Sequence, residues 1–266
     1  MVDSVFRSGI VETNGVHLHV ETYGDSGDPI LLLHGALTDL MQNWRMILQP
    51  LSQRFRLIGV DQRGHGGTDN PSGSFTLANL RDDALGVLDA LGLERAHVLG
   101  CSLGGYVAMA LRAKAPDRVA SLALAGVKLD WTRETAAARF DFFQPEVIAA
   151  TYPSWLPHMA KAHAGIYGPD HWKTLVGWVR ELLMTLPEEP SATLAALEAE
   201  MGRRGLFYAL GDRDEMVPLD EVLPVRHARP DAEILVLPHT GHLFREYNPQ
   251  VFVAAYTDFL RRNRIR

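Results

Sequence analysis

The sequence predicts an α/β fold, a mostly parallel sheet with helices on both faces and a long helical insertion in its second half. Three observations carry that expectation. Short apolar runs rich in branched residues alternate with longer segments of helical period, the pattern of strands buried on both faces and joined by helices. One early segment alternates apolar and polar residues instead. One later stretch loses the strand signal altogether.

Taken in order, Val16-His17-Leu18-His19-Val20-Glu21 is the alternating segment, expected as a half-exposed antiparallel edge. Ile30–Leu33 and Phe55–Val60 read as buried strands, with helical period from Trp44 to Leu51 between them. A helix over Leu77–Leu91 precedes a strand at Ala96–Leu99, and a helix over Leu103–Ala115 precedes a strand at Val119–Ala125. From Trp131 to Glu200 only helical runs occur, cut by prolines at 145, 153, 157, 169, 187 and 190. This stretch carries Phe140, Phe142, Phe143, Tyr152, Trp155, Trp172 and Trp178 and is expected as a cap over the C-terminal ends of the strands. A strand at Leu206–Leu210, a helix at Glu221–Ala228, a strand at Ile234–Leu237 and a helix at Pro249–Arg262 follow. Residues 1–130 and 201–266 thus form one core domain, and 131–200 the cap.

Composition narrows the function classes. The 266 residues are 47% hydrophobic and 22% charged, ordinary globular values, and the net charge of −6 argues against a polyanion partner. The basic end Arg261-Arg262-Asn263-Arg264-Ile265-Arg266 reads as a solvated terminus. Neither a signal-peptide core near Met1-Val2-Asp3-Ser4-Val5-Phe6-Arg7 nor a run approaching the ~18 apolar residues of a membrane span occurs, so the chain is expected to be soluble and cytoplasmic. Cys101 is the single cysteine, which rules out an internal disulfide and fits a reducing compartment.

The chemistry gathers at one turn. Val98-Leu99 runs into Gly100-Cys101-Ser102-Leu103-Gly104-Gly105 and then a helix, a G-x-S-x-G pattern in strand–turn–helix context. Such a turn is sharp and strained, its neighbours must be tiny, and it lifts the serine oxygen above the sheet. A merely structural turn accounts for the glycines but not for the serine, so Ser102 is the expected nucleophile. Cys101 is expected to point into the sheet as an inert thiol.

Four further segments resemble those of the α/β-hydrolase family at the family's spacings. His34-Gly35-Ala36-Leu37 resembles its oxyanion loop, which implies that the backbone N–H groups of Ala36 and Leu103 hold an oxyanion. Asp61-Gln62-Arg63-Gly64-His65-Gly66-Gly67-Thr68-Asp69 is similar to its D-x-R-G-x-G-x-S loop, with Thr68 for the common serine; Asp61 and Arg63 are assigned no chemistry. Gly211-Asp212-Arg213-Asp214-Glu215-Met216-Val217-Pro218 resembles the segment that carries the triad acid, here Asp214. Leu237-Pro238-His239-Thr240-Gly241-His242 resembles the loop ending in Gly-His, which makes His242 the base. The resemblance spans the chain outside the insertion, follows the order Ser, acid, His, and implies an eight-stranded sheet and no cofactor. Asp212 and Asp130 stand as alternative acids and His239 as an alternative base, while His65 reads as a loop stabiliser.

The remaining histidines get plainer readings. His17 and His19 are expected on an exposed strand face, and His34 in a packing hydrogen bond. His158, His163 and His171 fall at irregular spacings with no ligand pattern to complete a zinc site, so no metal is expected. Neither G-x-G-x-x-G after the first strand nor a P-loop occurs, so no nucleotide cofactor is expected.

The expected activity is cleavage of carboxylic esters or lactones through an acyl-enzyme. Rival readings use the same triad: perhydrolysis of the cofactor-free haloperoxidase type, or carbon–carbon bond hydrolysis, whose enzymes usually carry Asn where this chain has Cys101. Acyl transfer to an alcohol or thiol stays open, whereas haloalkane dehalogenation would need Asp in place of Ser102. A receptor with slow turnover is the alternative from a different class. Trp44, Phe143 and Trp155 are the substrate-binding candidates, set against packing roles for each, and a small apolar ester is the expected partner. Homodimerisation is allowed for; a nucleic acid or membrane partner is not expected.

Overall fold

The computed structural model describes residues 6–199 and 205–265. Met1 to Val5 of the N-terminal segment, Glu200 at the end of the insertion and Arg266 of the basic end lie outside the described residues, as does the side chain of Phe140. Among the described residues, no helix is long and apolar enough to cross a membrane.

Eight strands form a single sheet: β1 (Phe6–Thr13), β2 (Val16–Tyr23), β3 (Pro29–Leu33), β4 (Arg56–Val60), β5 (Ala96–Cys101), β6 (Val119–Ala125), β7 (Leu206–Gly211) and β8 (Glu233–Leu237). Their order is β1-β2-β4-β3-β5-β6-β7-β8, with β1–β2 and β2–β4 antiparallel and the other pairs parallel. The helices α1 (Leu40–Ser52), α2 (Leu77–Ala90) and α3 (Leu103–Lys114) join the first strands. Between β6 and β7 lie α4 (Arg133–Phe142), α5 (Pro145–Thr151), α6 (Leu156–Ala162), α7 (Ala164–Tyr167), α8 (His171–Thr185) and α9 (Leu194–Glu198); α10 (Val222–Ala228) and α11 (Pro249–Arg262) complete the chain.

One expectation needs correcting. The segment at Val16 is not the edge, because β1 pairs with it along its whole length, Phe6 opposite Tyr23 through Thr13 opposite Val16. The hairpin turn is Asn14-Gly15, both at positive φ (49° and 73°), which matches the right-handed twist of the strands it joins. β1 is exposed along most of its length, so no buried face imprints an apolar period on its sequence.

Alternation along each strand sends successive side chains to opposite faces. Leu31 and Leu33 pack on one face with Ile58, Val98 and the α2–α3 residues Val87, Val107 and Leu111. Ile30 and Leu32 pack on the other with Leu57, Leu99, Cys101 and the apolar faces of α1 and α11. Capping fixes where the helices begin. Asp39 accepts from the Gln42 N–H at 2.6 Å ahead of α1, and Asn248 accepts from the Val251 N–H at 3.1 Å ahead of α11, with Pro249 in its first turn.

The insert is anchored to the loops at the strands' C-terminal ends. His163 accepts from the Gly66 N–H (2.9 Å) through Nδ1 and donates from Nε2 to the Leu37 carbonyl (3.1 Å). His171 Nε2 donates to the Gly64 carbonyl at 2.9 Å, and the Tyr167 hydroxyl accepts from the Asn70 N–H at 2.8 Å. Burial pushes the His163 imidazole down to about 4, consistent with the neutral tautomer those two bonds require.

Candidate active site

Ser102 sits between β5 and α3 at φ 48°, a left-handed backbone that a non-glycine residue adopts only when its surroundings enforce it. The enforcement is visible in its neighbours. A Cβ on Gly100 would lie 2.3 Å from the Gly104 carbonyl oxygen, and one on Gly104 would lie 2.0 Å from the Leu33 carbonyl oxygen. Strand and helix therefore approach as closely as bare backbones allow. The Ser102 N–H donates to the Ala125 carbonyl at 2.9 Å, which ties the turn to β6.

His242 lies 140 residues downstream, yet its Nε2 is 3.1 Å from the Ser102 hydroxyl. Its Nδ1 faces both oxygens of Asp214, at 2.9 and 3.0 Å. The Asp214 side chain is fully shielded and also accepts from the N–H groups of Met216 and Val217, each at 2.8 Å. Three donors thus fix the carboxylate, which fixes the imidazole so that Nε2 aims at the serine. The rival acid Asp212 instead accepts from the Thr240 N–H at 3.2 Å, and the exposed Asp130 gives its N–H to Glu221. His239, at φ 55°, contacts Arg213 through Nδ1.

The His34–Leu37 loop is held by a buried histidine network. His34 Nδ1 donates to the Gly35 carbonyl (2.8 Å) while its Nε2 accepts from the Gln62 N–H (2.9 Å). The His34 carbonyl accepts from the Gly104 N–H at 3.1 Å and from Gln62 Nε2 at 2.6 Å, which locks the loop to the serine turn. His65 Nε2 accepts from the Leu37 N–H at 3.2 Å, a loop-holding contact far from base chemistry, and burial pushes its imidazole well down. Among the described residues, the N–H groups of Ala36 and Leu103 donate to no protein acceptor, although neighbouring N–H groups do. Both residues line a cavity together with Ser102 and His242.

Two cavities meet at the serine. The first, about 410 Å³, is walled by Trp131, Phe143, Val179 and Leu183 from the insert and by Tyr106 and Val217. Its one cation, Lys128, pairs with the buried Glu221 at 3.2 Å. The second, about 370 Å³, is walled by Thr38, Gln42, Asn43, Trp155, Leu243 and Arg245. Phe143 and Trp155 thus reach the cavities, one each. Trp44 does not: it is buried under α1, packed edge-on against Phe244 with ring centroids 4.6 Å apart. Its place in α1 sends the ring to the α11 side of the sheet, among the apolar residues there.

Cys101 is 3% exposed and packs on the α1–α11 face, and burial pushes its thiol up to about 12. His17 and His19 are not simply solvated: His17 Nδ1 meets Asp69 at 2.7 Å, and His19 Nδ1 meets the buried Asp61 at 2.8 Å. Asp61 also accepts from the Leu40 and Gly67 N–H groups, and Arg63 forms a buried pair with Asp83 at 2.7 Å. Among the described residues, no group of three or more His, Cys, Asp or Glu side chains is placed to hold a metal ion. The sequence reading passed over Glu215, whose Oε2 accepts from the His242 N–H at 3.1 Å and whose Oε1 meets the Tyr152 hydroxyl at 3.5 Å. It also passed over Gln42 and Asn43; a polar pair at the start of an apolar helix was the available signal for them.

Known proteins with this arrangement are many. A family model described as the alpha/beta hydrolase fold matches residues 28–180. The chain is 32% identical over 237 residues to the dihydrolipoyllysine-residue acetyltransferase component of the acetoin cleaving system of Pseudomonas putida, 84% of this chain but 60% of that protein. It is 25% identical to the 2-(acetamidomethylene)succinate hydrolase of Mesorhizobium japonicum, over 96% of this chain and 95% of the relative. Among solved structures, a hydrolase from Pseudomonas aeruginosa PA01 superposes with a TM-score of 0.76 at 26% identity, over 95% of this chain and 98% of that one. The chain belongs to the α/β-hydrolase fold family, and it is a hydrolase.

Proposed function

We propose that the protein is a serine hydrolase that cleaves carboxylic esters or lactones through an acyl-enzyme, with Ser102 as nucleophile, His242 as base and Asp214 as its orienting acid. The observation that carries this reading is the continuous hydrogen-bonded line from Asp214 through His242 to the Ser102 hydroxyl. A serine hydroxyl is a poor nucleophile at neutral pH; His242 Nε2 accepts its proton as Oγ attacks the carbonyl carbon and returns it to the leaving oxygen. The unoccupied N–H groups of Ala36 and Leu103 receive the oxyanion, each contributing about 3 kcal/mol toward the barrier. Water then attacks the acyl-enzyme with the same base, and no cofactor takes part.

The two cavities divide the substrate. The apolar one suits the acyl chain, which stays attached while the alcohol departs through the other. Residues 131–200 act as a cap that shapes both, with Phe143 and Trp155 as its contacts.

The test is labelling with a fluorophosphonate. One adduct is expected, in the tryptic peptide ending at Arg112, and none in Ser102→Ala. Persistent labelling of that variant defeats the assignment. Turnover of a carboxylic ester series by the parent enzyme but not by Ser102→Ala completes it.

A further inference from the structure

The walls of the two cavities differ in a way that ester hydrolysis alone does not require. Asn43 is 4% exposed, and its Oδ1 accepts from the Gly35 N–H (3.1 Å), while the Thr38 hydroxyl gives its one proton to the Gly35 carbonyl (2.8 Å). The Gly35 donor fixes the amide's orientation, which leaves Nδ2 buried with no oxygen or nitrogen acceptor among the described residues, beside only the weakly accepting Cys101 sulfur. Gln42 Oε1 is likewise buried and unpartnered, its Nε2 being given to the His158 carbonyl at 3.1 Å. Orphaned buried polar atoms are unfavourable, and a ligand that pairs with them relieves the deficit.

Past Gln42, Trp155 and Arg245, the second cavity continues into an open cleft of about 940 Å³ at the seam between α1 and α6. Arg45, Lys161 and Arg245 line that cleft with His158, against one carboxylate, Asp39, which is already engaged in capping α1. This is a local cationic excess in a chain of net charge −6. Among the described residues, none of the three cations pairs with a carboxylate. Arg245 lies over the Trp155 ring, 5.9 Å from its centroid, and a guanidinium on an aromatic face keeps its edge donors available for a planar anion. The first cavity offers no such site, because Lys128 is neutralised by Glu221.

We propose that the second cavity and its basic mouth form a subsite for a leaving group that carries an anionic headgroup, a carboxylate or a phosphate. Asn43 Nδ2 donates to the polar linkage of that leaving group, and Arg45, Lys161 and Arg245 hold its charge. The natural substrate therefore has one apolar arm and one anionic arm. This rests on the acyl-transfer reading above, so the experiment separates the two.

The parent enzyme is assayed with the butyrate esters of 3-hydroxybenzoate, of 3-hydroxyphenyl phosphate and of the neutral 3-hydroxybenzamide. The ratio of kcat/KM for an anionic ester to that for the amide is expected at roughly tenfold in low salt, falling as ionic strength rises. Whichever anion gives the larger ratio is the headgroup the site is built for. Arg45→Gln, Lys161→Gln and Arg245→Gln each lower the ratio, and the Arg45→Gln/Arg245→Gln pair brings it near one. Arg261→Gln, on the far surface of α11, leaves it unmoved. A parent ratio of one or below, or a ratio unchanged in the double variant, overturns the subsite. If the amide ester is not hydrolysed at all, the acyl-transfer reading falls instead. Calorimetric binding of the three esters to Ser102→Ala then decides the subsite: tighter binding of the anionic esters supports it, and equal binding overturns it.

Discussion

The loops at the C-terminal ends of the strands and the helical insert face each other across one seam, yet they are held by different forces. In the loops nearly every turn is pinned by a buried side chain to backbone bond: His34 to Gly35 and Gln62, His65 to Leu37, Asp61 to Leu40 and Gly67, Asp214 to Met216 and Val217. The insert is tied to those loops at His163, Tyr167 and His171, but around α5 it is held by an edge-to-face chain of rings, Phe143–Phe142–Tyr152–Trp155. Directional bonds fix atoms, whereas ring contacts tolerate sliding. On the proposed reading, reaction geometry belongs to the first region and substrate shape to the second.

The sharpest way to break this division is to alter the acid. Asp214→Asn is expected to lower kcat by a factor of order 10⁴, because the imidazole loses its tautomer control. Asp212→Asn, which removes a bond to the Thr240 N–H and nothing from His242, is expected to have a far smaller effect. The reverse ranking would move the acid two residues along the chain.

Glu215, which holds the His242 backbone N–H and is proposed to position that residue, comes next. Glu215→Gln keeps the shape but weakens the charge-assisted bond to the His242 N–H, and a loss of about tenfold in kcat with KM little changed is expected. Pre-steady-state kinetics should place the loss in acylation. An effect confined to KM would make Glu215 part of the substrate wall instead.

Acid should loosen the seam before it unfolds the sheet. Burial holds His65 and His163 neutral below their ordinary value of 6.5, so the released state binds more protons than the docked one. The contribution is whole above pH 6.5 and fades as pH falls toward about 4, where His163 itself charges. Proteolytic nicking between residues 131 and 199 should therefore accelerate across that window while far-UV circular dichroism holds. Simultaneous loss of both signals would mean that insert and sheet unfold as one unit.

The smallest effect is expected from the insert's rings. Phe143→Ala and Trp155→Ala should reorder preference among acyl and alcohol lengths while the best remaining ester stays within roughly tenfold of the parent rate. Loss of all activity in a folded variant would put a catalytic group where none is assigned.

How much of this was legible beforehand follows the same division. Strands β3 to β8 and the helices between them announce themselves because burial on both faces leaves continuous apolar runs. β8 is the weakest case, being only partly buried. β1 has no buried face to leave a period, and only its Asn14-Gly15 turn betrays it. Ser102, His242 and Asp214 were named from local motifs, and the structure brings those three together from three loops. Trp44 stays open between pocket and core in the sequence, because a ring one helical turn past the His34–Leu37 loop fits either; the direction of its Cα–Cβ bond puts it in the core. Glu215 and Gln42 act through contacts made far along the chain, with His242 and His158, and Asn43 only through the tight loop before α1, so their polar character alone was legible. His163 and His171 looked irregular in sequence because their partners lie about a hundred residues upstream, in the Gly64–Gly66 turn.

The lone thiol turns the site's rigidity into something that can be timed. Cys101 adjoins Ser102, the proposed nucleophile, faces the α1–α11 side, and is nearly inaccessible in the folded chain. Only its thiolate reacts with alkylating agents, and burial suppresses that form. Modification at pH 8 therefore waits for β5 to part from α1 and α11, and its rate counts those openings one molecule at a time. The protein carries its own stopwatch one residue from Ser102.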